Sequence, residues 1–321
     1  MTSVLRYVVH RLALGLVSLL LLSVMVFAAA QVLPGNPGRL VLGREATPEA
    51  VAQFNHLLGI DRPLPVRYVD WLSDAVRGDF GANYSDGRPV TDDLVPALRR
   101  SLFLALYAFV LCIPISILAG VIAAIRRGRP TDRVITVGGL SLAVIPEFVL
   151  GAMLIALLGP GLLNWFPGTA GALIDASLTA RLDALFLPAL ALALVLFGYI
   201  ARMARAGTME ALDADFTRTA TLKGLRRRQV LTRHVLRNGL LPTVAVISTQ
   251  MGYLFGGIVA IEKLVGYPGI GFLLLSAAQI KNFPMLLACT LVLGVVYFVA
   301  TLTGDLLTAT LNPRVRLARH T

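Results

Sequence analysis

Residues 101–129 read SLFLALYAFVLCIPISILAGVIAAIRRGR. Positions 101–125 carry no charged side chain, and Arg126, Arg127 and Arg129 follow at once. At about 1.5 Å per residue, such a helix outreaches the ~30 Å hydrocarbon core of a bilayer. A charge at mid-membrane costs about 2.5–3.5 kcal/mol, so an uncharged run with a basic flank marks a transmembrane helix ending at a cytoplasmic face. Long apolar runs also occupy 8–33, 134–158, 185–204, 240–261 and 285–311. The chain reads as an all-α polytopic membrane protein with six transmembrane helices. Composition agrees: 56% of the 321 residues are hydrophobic and only 15% charged, against about 25% charged in soluble domains. Mean hydropathy is +0.76.

A formal net charge of +11 raises the question of nucleic acid, but its distribution points to the membrane. Lys and Arg gather at Arg6 and Arg11, at Arg126, Arg127, Arg129 and Arg133, between 202 and 237, and at Arg314, Arg316 and Arg319. The short loops on the other side hold only Arg181, Lys263 and Lys281. This bias places both termini in the cytoplasm of a cell-membrane protein. Arg99 and Arg100, at the outer start of the second span, run against it. The first run ends in Ala28-Ala29-Ala30, as a signal peptide does, yet it is longer than a ~7–15-residue signal core, which favours a retained helix. The domain organisation is then an N-terminal transmembrane helix (1–33), an extracytoplasmic helical subdomain (34–100), a five-helix transmembrane core (101–311) with a cytoplasmic loop at 202–237, and a cytoplasmic tail (312–321). Cys112 and Cys289 sit in apolar runs and read as core residues. His10, His56, His234 and His320 are too scattered for a zinc site.

In the 34–100 segment, Thr47-Pro48-Glu49 is a helix start: a capping hydroxyl, a proline suited to the first turn and an acid at the positive dipole end. Gly59 is placed to end that helix. Trp71, Phe80 and Tyr84 are expected to anchor the segment to itself or to the headgroup level. It is either a small packed cap or a docking surface for an extracytoplasmic partner.

The 202–237 loop carries Arg202, Arg205, Arg218, Lys223, Arg226, Arg227, Arg228, Arg233 and Arg237 against Glu210, Asp213 and Asp215. Met209, Leu212, Phe216 and Ala220 fall at helical spacing, which predicts one shared apolar face. Gly224 should break that helix, and a second short helix is expected over about 226–236. An apolar face on so polar a loop must be covered by lipid, by the spans or by another protein. Topology and anionic-lipid contact explain the charge alone. A helix-turn-helix DNA reader is disfavoured by tethering at both ends. Docking of a protein partner explains charge and apolar face together.

At these residues the chain resembles the permease subunit of an ATP-binding-cassette importer of the oligopeptide/dipeptide family, the binding-protein-dependent inner membrane components. The resemblance rests on Asp215-Phe216-Thr217-Arg218-Thr219-Ala220-Thr221-Leu222-Lys223-Gly224, then His234-Val235-Leu236-Arg237-Asn238 and Leu241-Pro242. It extends through Leu33-Pro34-Gly35-Asn36-Pro37, Leu58-Gly59-Ile60-Asp61-Arg62-Pro63, Gly78-Asp79-Phe80-Gly81, Glu262 with Tyr267-Pro268-Gly269-Ile270-Gly271, Asn282-Phe283-Pro284 and Asn312-Pro313-Arg314. Asn36, Asn282 and Asn312 stand where the family has Asp, and Val265 where it has an aromatic residue. The resemblance implies the type I importer permease fold, with a coupling helix formed by Asp213, Asp215, Phe216, Thr217, Arg218, Thr219, Ala220, Lys223, Gly224 and Leu225 and seated in a groove of an ATPase subunit. It implies an outer gate or loop at Glu262, Tyr267, Pro268, Gly269 and Gly271. Its partners would be a second homologous permease, two ATPase domains or subunits, an extracytoplasmic substrate-binding protein and membrane lipid, with no nucleic acid. Family substrates include di- and oligopeptides, glutathione, nickel chelates and haem.

No phosphate-binding loop exists in the chain: Lys223, Lys263 and Lys281 follow Leu222, Glu262 and Ile280, not glycine. No cofactor is expected here, with ATP and Mg²⁺ on the partner subunits. Glu147 and Asp305 lie in the apolar runs and are candidates for the translocation path. If they faced each other, they would instead fit an intramembrane hydrolase; a passive channel is the third reading. Pro114, Pro146 and Pro188 fall within spans and mark either path-lining breaks or packing kinks.

Overall fold

A computed structural model describes residues 2–32, 36–43, 45–57, 59–84, 86–171 and 177–311. Leu33, Pro34, Gly35, Leu58 and the tail with Asn312, Pro313, Arg314, Arg316 and Arg319 lie outside the described residues. The regular elements described are all helical, apart from one isolated bridge between Ala82 and Pro89. In order they are α1 (Thr2–Val32), α2 (Pro37–Leu42), α3 (Pro48–Leu57), α4 (Leu64–Val76), α5 (Val90–Ile125), α6 (Pro130–Val144), α7 (Glu147–Leu158), α8 (Leu178–Asp213), α9 (Asp215–Leu222), α10 (Arg227–Gln229), a π-helical turn (Val230–Val235), α11 (Leu236–Gly239), α12 (Leu241–Val265), α13 (Ile270–Gln279) and α14 (Phe283–Leu311).

By length and composition α1, α5, α8, α12 and α14 can each cross a membrane. The run at 134–158 differs from the single helix expected. It is two helices, α6 and α7, bent by 107°. The cause is Pro146, which has no N–H to give and pushes the preceding residue out of the helical region. Ile145 accordingly has ψ 128° and Pro146 ψ 139°. Pro188, by contrast, is buried within an unbroken α8. Glu147 is therefore the first residue of a half-span, not a mid-helix residue. The spans expected at 101–125 and 185–204 lie within longer helices: α5 begins at Val90 and α8 runs on to Asp213.

The chain forms two compact units. The first comprises Met1–Leu12, Phe103–Tyr267 and Val299–Thr321, and α8 is its centre, packed by α6, α7, α11 and α12. In the most apolar stretch of α8, 67% of residues are buried within the chain, against 17% for α1, so α8 is the internal strut. It is built for close approach, since small residues let helix backbones meet inside a membrane. A Cβ placed on Gly198 would lie 2.2 Å from the Gly139 carbonyl oxygen, and one on Gly207 2.0 Å from that of Gly239.

The second unit comprises Ala13–Leu102 and Pro268–Phe298. The α3 start behaves as its sequence dictates: Thr47 Oγ1 accepts the Ala50 N–H at 3.3 Å, and Gly59 takes φ 65° after the helix. Asn36 caps α2 through the Arg39 N–H. Trp71 and Tyr84 pack on a cluster of Phe27, Ala30, Phe283 and Leu287, and Phe80 packs on a cluster around Val90, Ile270 and Met285. These aromatic residues pin the segment to its own unit. Burial pushes the Tyr84 hydroxyl above its ordinary range, with the Arg67 guanidinium opposing the shift. The Asn282 and Asn83 side-chain amides bond to each other, and Asn282 Oδ1 also accepts the Tyr84 N–H at 3.4 Å.

Candidate functional site

The apolar face predicted over Met209, Leu212, Phe216 and Ala220 is not one helix. The chain turns at Ala214, whose ψ is 149°, so Met209 and Leu212 end α8 while Phe216 and Ala220 lie on α9. Thr217 ties the two together, its Oγ1 donating to the Ala211 carbonyl oxygen at 2.6 Å. Ala220 is buried with Ala211, Val230 and Val235 in a small core of the chain itself. The rest of α9 is uncovered: Phe216 is 40% and Leu222 81% exposed, and Thr219 and Lys223 are exposed beside them. Phe216, Thr219 and Lys223 recur at three and four residues, so they form one outward stripe. The unpartnered face is thus Phe216-Thr219-Leu222-Lys223, offset from the sequence reading by the break at Ala214.

Gly224 has φ +80°, and its N–H closes on the Thr221 carbonyl at 3.0 Å. Only glycine takes this left-handed conformation without cost. Leu225 then leads into α10, where Gln229 Oε1 accepts the Arg226 N–H. Asp213 and Arg127 form an exposed contact at 3.4 Å, of the kind worth at most about 1 kcal/mol. Asp215 opens α9 and Arg218 is exposed on it.

One ion pair with a buried acid joins two helices here and is not legible in the sequence. Arg205 Nε and Nη2 donate to the two carboxylate oxygens of Asp132 at 2.6 and 2.8 Å. The Gly128 N–H and the Thr136 hydroxyl complete the shell of Asp132, which is only 4% exposed. Arg205 belongs to the basic run of 202–237, yet it clamps α6 to α8. The usable signal was Asp132 itself, an acid at the start of a helix that enters an apolar run.

Glu147 lines a cavity of about 640 Å³ with Leu192, Val195, Leu196 and Tyr199 of α8 and Gln250, Tyr253, Leu254 and Gly257 of α12. Asp305 is elsewhere: it pairs with Arg11 at 3.2 Å. Glu147 abuts Gly257, whereas Gly304, next to Asp305, abuts Ser248. Nine residues of α12 separate those contacts, or about 13 Å along the helix. The facing carboxylates that an intramembrane hydrolase would need are not brought together.

At 262–271, Glu262 and Tyr267 are buried. Gly266 takes φ 64°, and the Tyr267 N–H donates to the Glu262 carbonyl at 2.9 Å. Gly269 opens α13, Gly271 is buried within it, and the Ile270 N–H donates to Ser101 Oγ at 2.8 Å. Arg100 donates to the Pro268 carbonyl oxygen at 3.2 Å, which accounts for one of the two arginines that defy the charge bias. Arg99 is exposed, and nothing in the structure explains it.

This helix–Gly–helix element behind α8 belongs to a region, residues 116–317, that matches the family described as "Binding-protein-dependent transport system inner membrane component". Residues 4–91 match its companion N-terminal family, "Binding-prot-dependent transport system membrane comp, N-term". The chain belongs to this family. It is the permease subunit of an ATP-binding-cassette importer, a multi-pass inner-membrane protein. The permease is 35% identical over 316 residues to the glutathione transport system permease protein GsiC of Escherichia coli K12. It has the same identity to the proteins of that name from Escherichia coli O1:K1 and Shigella dysenteriae serotype 1. Each alignment covers 97% of this chain and 99% of the relative.

Proposed function

We propose that the permease carries short peptides, glutathione among them, by alternating access, and that α9 is its coupling helix. The observation that carries this reading is the uncovered stripe of Phe216, Thr219, Leu222 and Lys223 on a helix whose other face is seated in its own core. Such a helix is rigidly held yet incomplete, as a force-transmitting contact has to be. Two ATPase subunits, carrying ATP and Mg²⁺, dock on this helix and its counterpart in a second permease. Their closure draws the coupling helices together. That motion passes through the Asp132–Arg205 clamp and the Gly207–Gly239 crossing into α6, α8 and α12. A binding protein delivers substrate from outside, and the basic bias supports a cytoplasmic 202–237 loop with both termini on the same side. Glutathione joins the substrate class because it is the cargo named for the relatives, and it is itself a small peptide.

Uptake by the reconstituted importer tests the substrate class. Labelled dialanine and glutathione are expected to accumulate only with ATP, and competition should weaken as peptides lengthen. Accumulation of a nickel chelate or haem but neither peptide would overturn the peptide reading.

A further inference from the structure

We propose that the cavity at the α6–α7 break is a specificity site that reads the free amino group of the substrate through Glu147. This rests on the peptide reading above. Leu192, Val195, Leu196 and Tyr199 recur along one face of α8, and Gln250, Tyr253, Leu254 and Gly257 along one face of α12. Between these two stripes the Pro146 break sets Glu147 at the wall, against Gly257. A Cβ at position 257 would come within 3.1 Å of Glu147 Cγ and Cδ, so the glycine leaves the carboxylate its place.

The polar groups here are left open. Among the described residues Glu147 makes no ion pair or hydrogen bond, and the Gln250 side-chain amide makes none although the residue is only 8% exposed. An uncompensated carboxylate inside a membrane span is costly and marks a functional position. Gln250 is buried within the chain but lines the same cavity, which leaves its amide open to a ligand. Tyr199 and Tyr253 add aromatic faces to the same cavity and are 48% and 66% exposed. A carboxylate, an amide oxygen and two aromatic rings around one space suit an ammonium group: the carboxylate supplies the countercharge, the amide an acceptor and the rings cation–π attraction. A substrate with its amine acylated offers none of that charge. The site would thus pass free-amine peptides and disfavour blocked ones.

The structure supplies a reporter. Gly256 lines the cavity, and a Cβ there meets nothing within 4 Å, while both native cysteines are buried. In the full importer carrying Gly256→Cys, millimolar dialanine should slow maleimide labelling about fivefold or more, and N-acetyl-dialanine should not. Adding Glu147→Gln should abolish that protection, and Glu147→Asp should retain part of it. Co-purification of all subunits verifies that the variants are assembled. Equal protection by the acetylated peptide, or protection that survives Glu147→Gln, would overturn the site while leaving the importer reading intact if dialanine is still imported. Failure of the importer to take up either dialanine or glutathione would overturn the peptide reading and this inference together.

Discussion

Replacing Asp132 with alanine is expected to destabilise the permease by about 1–3 kcal/mol, the cost of losing a buried carboxylate that accepts charged hydrogen bonds from a part-buried arginine. Four donors converge on this carboxylate, two of them from the Arg205 guanidinium. Removal leaves the part-buried guanidinium without its countercharge. Arg205→Met strands the carboxylate instead and should cost a similar amount. The double variant Asp132→Leu/Arg205→Met should recover much of the loss, because apolar replacement of a buried pair is often close to neutral. Thermal unfolding of the detergent-solubilised protein, with the Asp132→Leu single variant included, measures all four states of the cycle. A double variant as unstable as the sum of the singles would show that the two side chains act independently, contrary to the clamp.

Gly207→Val should be comparably damaging for a steric reason. Its Cβ would sit 2.0 Å from the Gly239 carbonyl oxygen, and that atom is backbone, not a side chain able to swing away. The α8–α11 crossing must then open. Overpacking of a tight core costs about 1–3 kcal/mol, and here it also moves α11 and the π-helical turn on which α9 is seated. Stability should fall, and ATP-driven uptake should fall further than stability alone explains. Gly256→Ala is the control: it faces open space in the same molecule and should leave stability within about 0.5 kcal/mol of the parent. If Gly207→Val is as benign as the control, the backbone contact is not what sets the position of α9.

Much of this was legible in the sequence because a bilayer enforces simple rules. Uncharged runs of about 20 residues must be spans. Helix boundaries at Thr47 and Gly224 followed from capping and left-handed glycine geometry alone. What failed to show were features that depend on which helices meet. Nothing local distinguishes Arg205 from the other basic residues of its loop; only the α6–α8 contact makes it a buried partner. The same holds for Gln250, Tyr199 and Tyr253, which gain meaning by lining one cavity with Glu147. The Met209–Ala220 face went astray for a different reason. Helical periodicity runs on through Ala214, and no proline or glycine at that position announces the turn. The break leaves Phe216 on the exposed stripe but puts Ala220 inside.

The docking role of α9 is tested most directly by co-purifying the proposed ATPase subunits with tagged permease and following ATP-driven uptake in proteoliposomes. With Phe216→Asp, the permease should fold and insert normally, since Phe216 is 40% exposed and lies outside the small core that seats α9. Recovery of the ATPase should nevertheless drop by at least about tenfold, as for an aromatic anchor at the centre of an interface, and uptake should fall with it. Undiminished ATPase recovery and uptake in a correctly folded Phe216→Asp permease would contradict coupling through α9.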